Sequence, residues 1–429
     1  MRILLLNPPW MFEGSIYFGC SSPHLPLEFG YAKALLENAG HDVLLIDALL
    51  SGLDYEAIRH QIRAFCPDAT VLTTAPSYLF WRCAPPELAV PLRLLKNLRA
   101  ELGDLVVIGP HGSTTPAATL RKLAADVVVI GEPEEILPLW ASGSEEIPSL
   151  CLERDGRIQT TGAPHQSNMA ALPALEWDDE LISRHHHHHH RFDRDPIGPG
   201  AEVESSRGCP YSCTFCAKEN FRNKYRRREL NTVLTEIDKL LSQGVEYVYF
   251  VDEIFLPNEP LLKSLAERKL KIGVQTRIDL WNESSIALLA KAGCVSIEAG
   301  VESITEEGRA YLDKKCKLST DQLTQRLAYA KRLIPFVQAN LISTPLDSAA
   351  DVELWRQSLL DQGVWANKPV PLFPYPGSPE YSRRWGAPDD HAWERAHEYY
   401  LSKQQGFSDI QEQDPLPLVQ LESSLHERG

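Results

Sequence analysis

The stretch SSRGCPYSCTFC, residues 205–216, gathers Cys209, Cys213 and Cys216 within eight residues and offers no fourth cysteine nearby. A structural zinc site would need a fourth His or Cys ligand, usually within a second spaced pair, and none follows. A four-iron cubane normally takes four cysteines, one per iron. With three, one iron keeps open coordination sites, so the spacing Cys-x3-Cys-x2-Cys favours a cluster that binds a further ligand.

Strand and helix patterns alternate outward from this loop. Apolar runs at 201–206, 246–251, 271–277, 294–299, 335–342 and about 364–372 read as strands, with helices near 229–243, 258–268, 283–292, 319–333 and 349–361. Six strand-helix units are too few for a full eight-fold barrel and predict a partial parallel (β/α)6 barrel, with functional groups at the carboxyl ends of its strands. The cysteines follow the first of those strands.

The N-terminal part has a different rhythm. RILLLN (2–7), DVLLID (42–47), ATVLTTA (69–75), DLVVIG (104–109) and DVVVIG (126–131) are almost continuously apolar, as strands buried on both faces of a parallel sheet are. With helical patterns between them they predict a flavodoxin/Rossmann-like doubly wound sheet in the order 2-1-3-4-5, whose ligand crevice lies beyond the carboxyl ends of strands one and three. The loops there are NPPWMFEG (7–14), TTAPSYLFW (73–81), GPHGSTT (109–115) and GEPEE (131–135). Small residues in them, Gly109, Gly112, Ser113, Ala75 and Ser77, let backbone approach a large flat ligand.

Composition agrees with two such domains. The chain has 429 residues, 43% hydrophobic, enough for two cores. Its formal charge of −15 argues against a nucleic-acid binder. The start, MRILLLNPPW, has too short an apolar run for a signal peptide or a membrane span, which predicts a soluble, cytoplasmic protein. Nine cysteines in such a compartment read as ligands or buried thiols and not as disulfides. The expected organisation is a sheet domain (1–140), a hairpin and linker (141–200), the barrel (201–375) and a helical tail (376–429). The hairpin is SLCLERDGRIQTTG, turning at Asp155-Gly156. The linker includes RHHHHHHRF (184–192), where six consecutive His cannot all face one ion; it reads as a solvated linker or an artificial insertion.

The three-cysteine loop, with Phe215 before its last cysteine, resembles that of the radical S-adenosylmethionine (SAM) superfamily. VVIGPHGST (106–114) followed by DVVVIGEPEE (126–135) resembles the loop pair of cobalamin-binding domains that precede radical SAM barrels. The resemblance implies a [4Fe-4S] cluster on Cys209, Cys213 and Cys216, SAM chelated to its open iron, and bound cobalamin. For SAM it implies contacts from Phe215, Asp252, Glu253, Gln275, Arg277, Glu298, Glu302 and Ser303. For cobalamin it implies Pro9, Thr74, Ser77, Gly109, His111, Gly112, Ser113, Gly131 and Glu132. The Asp-x-His-x-x-Gly signature of cobalamin-dependent mutases is absent, so the usual axial His is not expected; His111 is the one axial candidate, or a residue bonding to the corrin rim or backbone. PYPGSPEY (374–381) resembles the turn that closes the barrel, and the following helical pattern reads as packed on the barrel or as a lid over it.

The activity implied is methylation of an unactivated carbon. A 5'-deoxyadenosyl radical removes a hydrogen atom from a small-molecule substrate, a sugar or another polar metabolite, and methylcobalamin donates the methyl group. Rearrangement, cyclisation or oxidation on the same scaffold is the nearest alternative. A methylthiotransferase would need three more converging cysteines. Cys20 and Cys83 lie at the ligand edge, but Cys66 lies on the opposite edge and Cys151 in the hairpin, so one cluster is expected. A non-enzymatic cobalamin-binding sensor or carrier would not need the three-cysteine loop. Cys294 reads as a core thiol and Cys316 has no assignable role. The basic run RNKYRRR (222–228) reads as a solvated face, with a SAM carboxylate contact or a docking patch for an acidic flavodoxin or ferredoxin as the functional alternatives.

Overall fold

In a computed structural model the chain forms two compact units, and residues 1–10, 23–186, 193–218, 221–404 and 416–426 are described. The first unit comprises Met1–Trp177, Phe215–Asn223 and Phe373–Ser402; the second comprises Asp178–Thr214, Lys224–Leu372 and Lys403–Gly429. Loop residues 11–14, Cys20 and His residues 187–190 lie outside the described residues.

The first unit is built on β1 (Arg2–Asn7), β2 (Asp42–Asp47), β3 (Ala69–Thr73), β4 (Asp104–Ile108) and β5 (Val127–Val129), parallel in the order β2-β1-β3-β4-β5. Alternate residues of each strand feed opposite cores, which is why the strands read as unbroken apolar runs. Ile3, Leu5, Val71, Val106 and Ile108 meet Phe29, Ala32 and Leu36 on one face. Leu4, Leu6, Leu72, Leu105 and Val107 meet Ile58, Ile62, Leu94 and Leu98 on the other. The hairpin β6 (Leu150–Arg154) and β7 (Arg157–Thr160) extends this sheet antiparallel to β5. Asp155 (φ 53°) and Gly156 (φ 71°) are both left-handed, as a two-residue hairpin turn needs.

In the second unit, β8 (Gly200–Val203) leads into β9 (Ser206–Arg207), which pairs antiparallel with β10 (Arg226–Arg227). This two-residue ribbon forms the neck of the cysteine loop. The strands β11 (Tyr247–Phe250), β12 (Lys271–Thr276), β13 (Cys294–Glu302), β14 (Phe336–Leu341) and β15 (Trp365–Ala366) complete a six-stranded parallel sheet ordered β15-β14-β13-β12-β11-β8. Both parallel sheets are as the sequence predicts. The last strand is shorter than expected, because beyond Ala366 only an isolated bridge, Val370 to Ile342, continues the pairing.

Two sequence expectations are corrected here. The helix Ala392–Gln404, expected on the barrel or as a lid over it, falls within the first unit as far as Ser402: the Trp393 ring stacks on His111 with centroids 3.9 Å apart, and its Nε1 donates to Thr115 Oγ1 at 3.0 Å. The start of the His tract is not solvated either. His185 is fully buried, its Nδ1 is 2.6 Å from the Gly200 carbonyl and its Nε2 is 3.1 Å from Glu202, so it anchors the entry to β8. Among the described residues no helix is long and apolar enough to cross a membrane.

Candidate functional site

The cysteine loop leaves the carboxyl end of the β8–β9 segment and is held by carboxylates from the end of β11. Asp252 is buried and accepts from Ser205 N at 2.8 Å, Ser205 Oγ at 2.7 Å and Ser206 Oγ. Burial pushes its carboxyl up to about 6, opposed by those hydrogen bonds. Glu253 Oε2 accepts from Gly208 N at 2.7 Å, one residue before Cys209. Both residues were expected to contact SAM; the structure uses them to clamp the loop that carries the thiols. Farther along, Thr214 N donates to Leu312 O at 3.0 Å and Ser212 Oγ to Asp313 Oδ2 at 2.7 Å.

None of Cys209, Cys213 and Cys216 is in a disulfide; Cys213 is buried and the other two are half-buried. Burial pushes the Cys213 thiol up, while Lys314 and Arg277 pull it down. Among the described residues no three His, Cys, Asp or Glu side chains converge as ligands of a single ion. A cubane does not ask for that, because each thiolate takes a different iron. Three thiols outside any disulfide on one clamped loop are therefore a donor set that fits a cluster and does not fit a mononuclear metal.

Arg277, at the end of β12, lies 4.0 Å over the Tyr211 ring of the cysteine loop and makes a two-pronged contact with Asp279 at 3.1 and 2.8 Å. Its Nη1 is buried and has no hydrogen-bond partner among the described residues. An orphaned guanidinium N–H beside the thiol loop fits an anionic group such as a carboxylate. Gln275 is half-buried on β12 and Glu298 is buried on β13. Glu302 ends β13 with φ 70° and pairs with Lys314 at 3.2 Å. Ser303 is turned into a different network, donating to Asp347 Oδ1 at 2.9 Å, while Phe215 is half-buried. Lys314 carried no sequence signal: in DKKCKLS it looks like a solvated cation, and only the fold buries it.

The first unit's loop edge is knitted tightly. Ser113 Oγ donates to Gly109 O at 3.0 Å and accepts from Gly131 N at 3.0 Å. Glu132 Oε2 accepts from Ser167 N at 2.8 Å, and Ser77 Oγ caps the turn at Leu79 at 3.3 Å. The glycines have internal reasons as well. A Cβ on Gly112 would come within 2.5 Å of Val128 Cγ1, one on Gly109 would overlap Thr74, and one on Gly131 would overlap the His165 backbone. Close approach here is between protein segments, where the sequence suggested close approach to a ligand.

Polar atoms left over at this edge point to a polar partner. Thr74 Oγ1 and Trp81 Nε1 are buried without hydrogen-bond partners among the described residues, and Pro9 is half-buried beside β1's end. Glu28 is fully buried and neither carboxyl oxygen makes a well-formed hydrogen bond among the described residues. Burial pushes it up to about 8, so it is a neutral acid at pH 7, with Arg222 pulling weakly the other way. These orphaned groups fit a large ligand rich in amide donors and acceptors. His111 fits less well as an axial ligand: it is fully buried under Trp393, and burial pushes its imidazole down to about 3.

The basic run is not one solvated face. Arg222 is buried over the rings of Tyr78 (4.4 Å) and Trp81 (5.5 Å), and Arg228 is buried against Glu236 at 2.8 Å. Asn223, Lys224 and Arg227 are exposed. Cys294 is a core thiol pushed up to about 12 by burial, and Cys316 is half-buried.

Residues 203–353 match the family model described as the radical SAM superfamily. The chain is 26% identical over 330 residues to an uncharacterized methyltransferase of Pyrococcus horikoshii, covering 73% of this chain and 68% of that protein. It is 25% identical over 352 residues to the anaerobic magnesium-protoporphyrin IX monomethyl ester cyclase of Cereibacter sphaeroides, covering 76% of this chain and 54% of that one. The chain thus spans little more than half the length of that cyclase. In fold it is similar to the radical SAM methyltransferase TsrM of Kitasatospora setae, solved with cobalamin and a [4Fe-4S] cluster bound, with TM-score 0.68 at 18% identity over 88% of this chain and 76% of that one. A parallel barrel sheet, a clamped three-cysteine loop and the family match over the same residues lead to one assignment: the chain is an enzyme that carries a radical SAM domain at residues 203–353, on a fold similar to that of a cobalamin-binding radical SAM methyltransferase.

Proposed function

We propose that this enzyme is a cobalamin-dependent radical SAM C-methyltransferase acting on an unactivated carbon of a small polar molecule. The observation that carries it is the clamped loop of three cysteines, none in a disulfide, at a parallel-barrel strand end, beside a buried cation with an unsatisfied N–H. Cys209, Cys213 and Cys216 would hold the cluster. Arg277 would bind the SAM carboxylate, with Phe215, Gln275, Glu298 and Glu302 lining the rest of SAM and Asp252 and Glu253 fixing the loop. Loop residues of the first unit, Pro9, Thr74 and Ser77 with the 109–113 and 131–132 loops, would cradle cobalamin. When bound, the cluster and SAM supply a hydrogen-abstracting radical and cobalamin supplies the methyl group. The chain's part is to orient these groups and to exclude water from them. Reduction would come from a low-potential flavodoxin or ferredoxin.

A second reading, cyclisation or oxidation without methyl transfer, is favoured by the similarity to the magnesium-protoporphyrin ester cyclase. Anaerobic reconstitution with iron, sulfide and cobalamin, followed by SAM and a low-potential reductant, separates the two. The methyltransferase should form 5'-deoxyadenosine and S-adenosylhomocysteine together, with deoxyadenosine lost in Cys213→Ala. Deoxyadenosine alone favours the second reading. A reconstituted protein without an iron-sulfur absorption spectrum would overturn both.

A further inference from the structure

The turn at 312–315 is tied to the cysteine loop within the second unit, through Leu312 O to Thr214 N at 3.0 Å and Asp313 Oδ2 to Ser212 Oγ at 2.7 Å. Lys314 sits between two non-glycine residues held left-handed, Asp313 (φ 51°) and Lys315 (φ 54°). Such backbone costs free energy and persists only where the surroundings enforce it. Its effect is to bury the ammonium: the Lys314 side chain is 2% exposed and its Nζ is 3.2 Å from Glu302 Oε1. Glu302 is left-handed too, at φ 70°, and a Cβ on Gly300 would overlap its carboxylate and lie 3.5 Å from Lys314 Nζ. Three strained residues thus hold a single buried ion pair on a turn tied to the cysteine loop.

We propose that Lys314 is a positioning residue that sets the reduction potential of the cluster held by the cysteine loop, with Glu302 as its opposing counter-charge. The proposal rests on the cluster assignment above. Reduction by one electron from the external donor adds one negative charge to the cluster, and a fixed cation in a low-dielectric site favours the more negative state. Removing Lys314 disfavours reduction; removing the Glu302 charge favours it. A residue acting only through packing would not move the potential in opposite directions for the two changes.

The test is a redox titration of the reconstituted full chain, followed by electron paramagnetic resonance, for the wild type, Lys314→Met and Glu302→Gln. Iron and sulfide content and the absorption spectrum are measured first. Lys314→Met should move the midpoint to more negative potential by about 59 mV, a tenfold fall in the one-electron equilibrium constant. Glu302→Gln should move it the other way, and this isosteric change decides the matter if Lys314→Met does not accumulate. Loaded variants with unchanged midpoints, or shifts of the same sign, overturn the proposal and leave the cluster assignment standing. A wild-type chain that takes up no iron and sulfide overturns both.

Discussion

At the scale of single residues, burial decides what each titratable group can do. Glu28 has its carboxyl raised from 4.5 to about 8 by burial. Between those values the unfolded chain has lost this proton while the folded chain keeps it. The stability contributed by the protonated form is therefore complete below about 4.5, falls as pH rises toward 8, and is gone above it. Glu28→Gln, neutral at all pH, should match the wild type near pH 5 and exceed its unfolding free energy near pH 9 by on the order of 3 kcal/mol. Urea unfolding at the two pH values checks this, and a pH-independent difference would sink it. Lys314 shows the other side of the same physics. Nothing in DKKC marks which lysine is buried, since its partner Glu302 lies at the end of β13, twelve residues earlier.

At the scale of elements, the loops beyond the strands are set by contacts with other loops. Gly131 has φ 95° and abuts the His165 backbone, with Gly131 and His165 bridged in parallel register. Gly131→Ala meets both a left-handed penalty and a backbone overlap, so a destabilisation of roughly 3 kcal/mol is expected. A lowered urea midpoint with unchanged slope measures it; an unchanged midpoint would mean the loop can shift freely. The glycines were legible in the sequence as places of close approach, but the approaching group was not. Residues 164–167, which fill the space, lie in a stretch with no strand or helix periodicity of its own.

At the scale of the whole molecule, the chain's −15 charge would repel an acidic electron donor unless a local basic patch receives it. Lys224, Arg226 and Arg227 remain wholly or partly accessible, whereas Arg228 is committed to Glu236. Reversing Arg226 and Arg227 to Glu should slow reduction by an acidic flavodoxin about tenfold at low salt, with the difference vanishing at high salt. Stopped-flow reduction reads this directly, and equal rates at low salt would exclude the patch. Arg228→Glu belongs to a separate expectation, loss of folding, because it buries two like charges against each other.

The sequence by itself determined the two parallel sheets, their strand orders and the three-thiol loop. Those features are written locally: apolar runs buried on both faces, alternation of strand and helix, and ligand spacing within eight residues. Tertiary structure alone decided which polar residues were committed and which left over. Asp252 and Glu253 became loop clamps, His111 disappeared beneath Trp393, and His185 left its tract for the core. Each of those outcomes depends on a partner tens or hundreds of residues away. Hydrogen bonding and burial are satisfied in space, and periodicity along the chain carries no record of them.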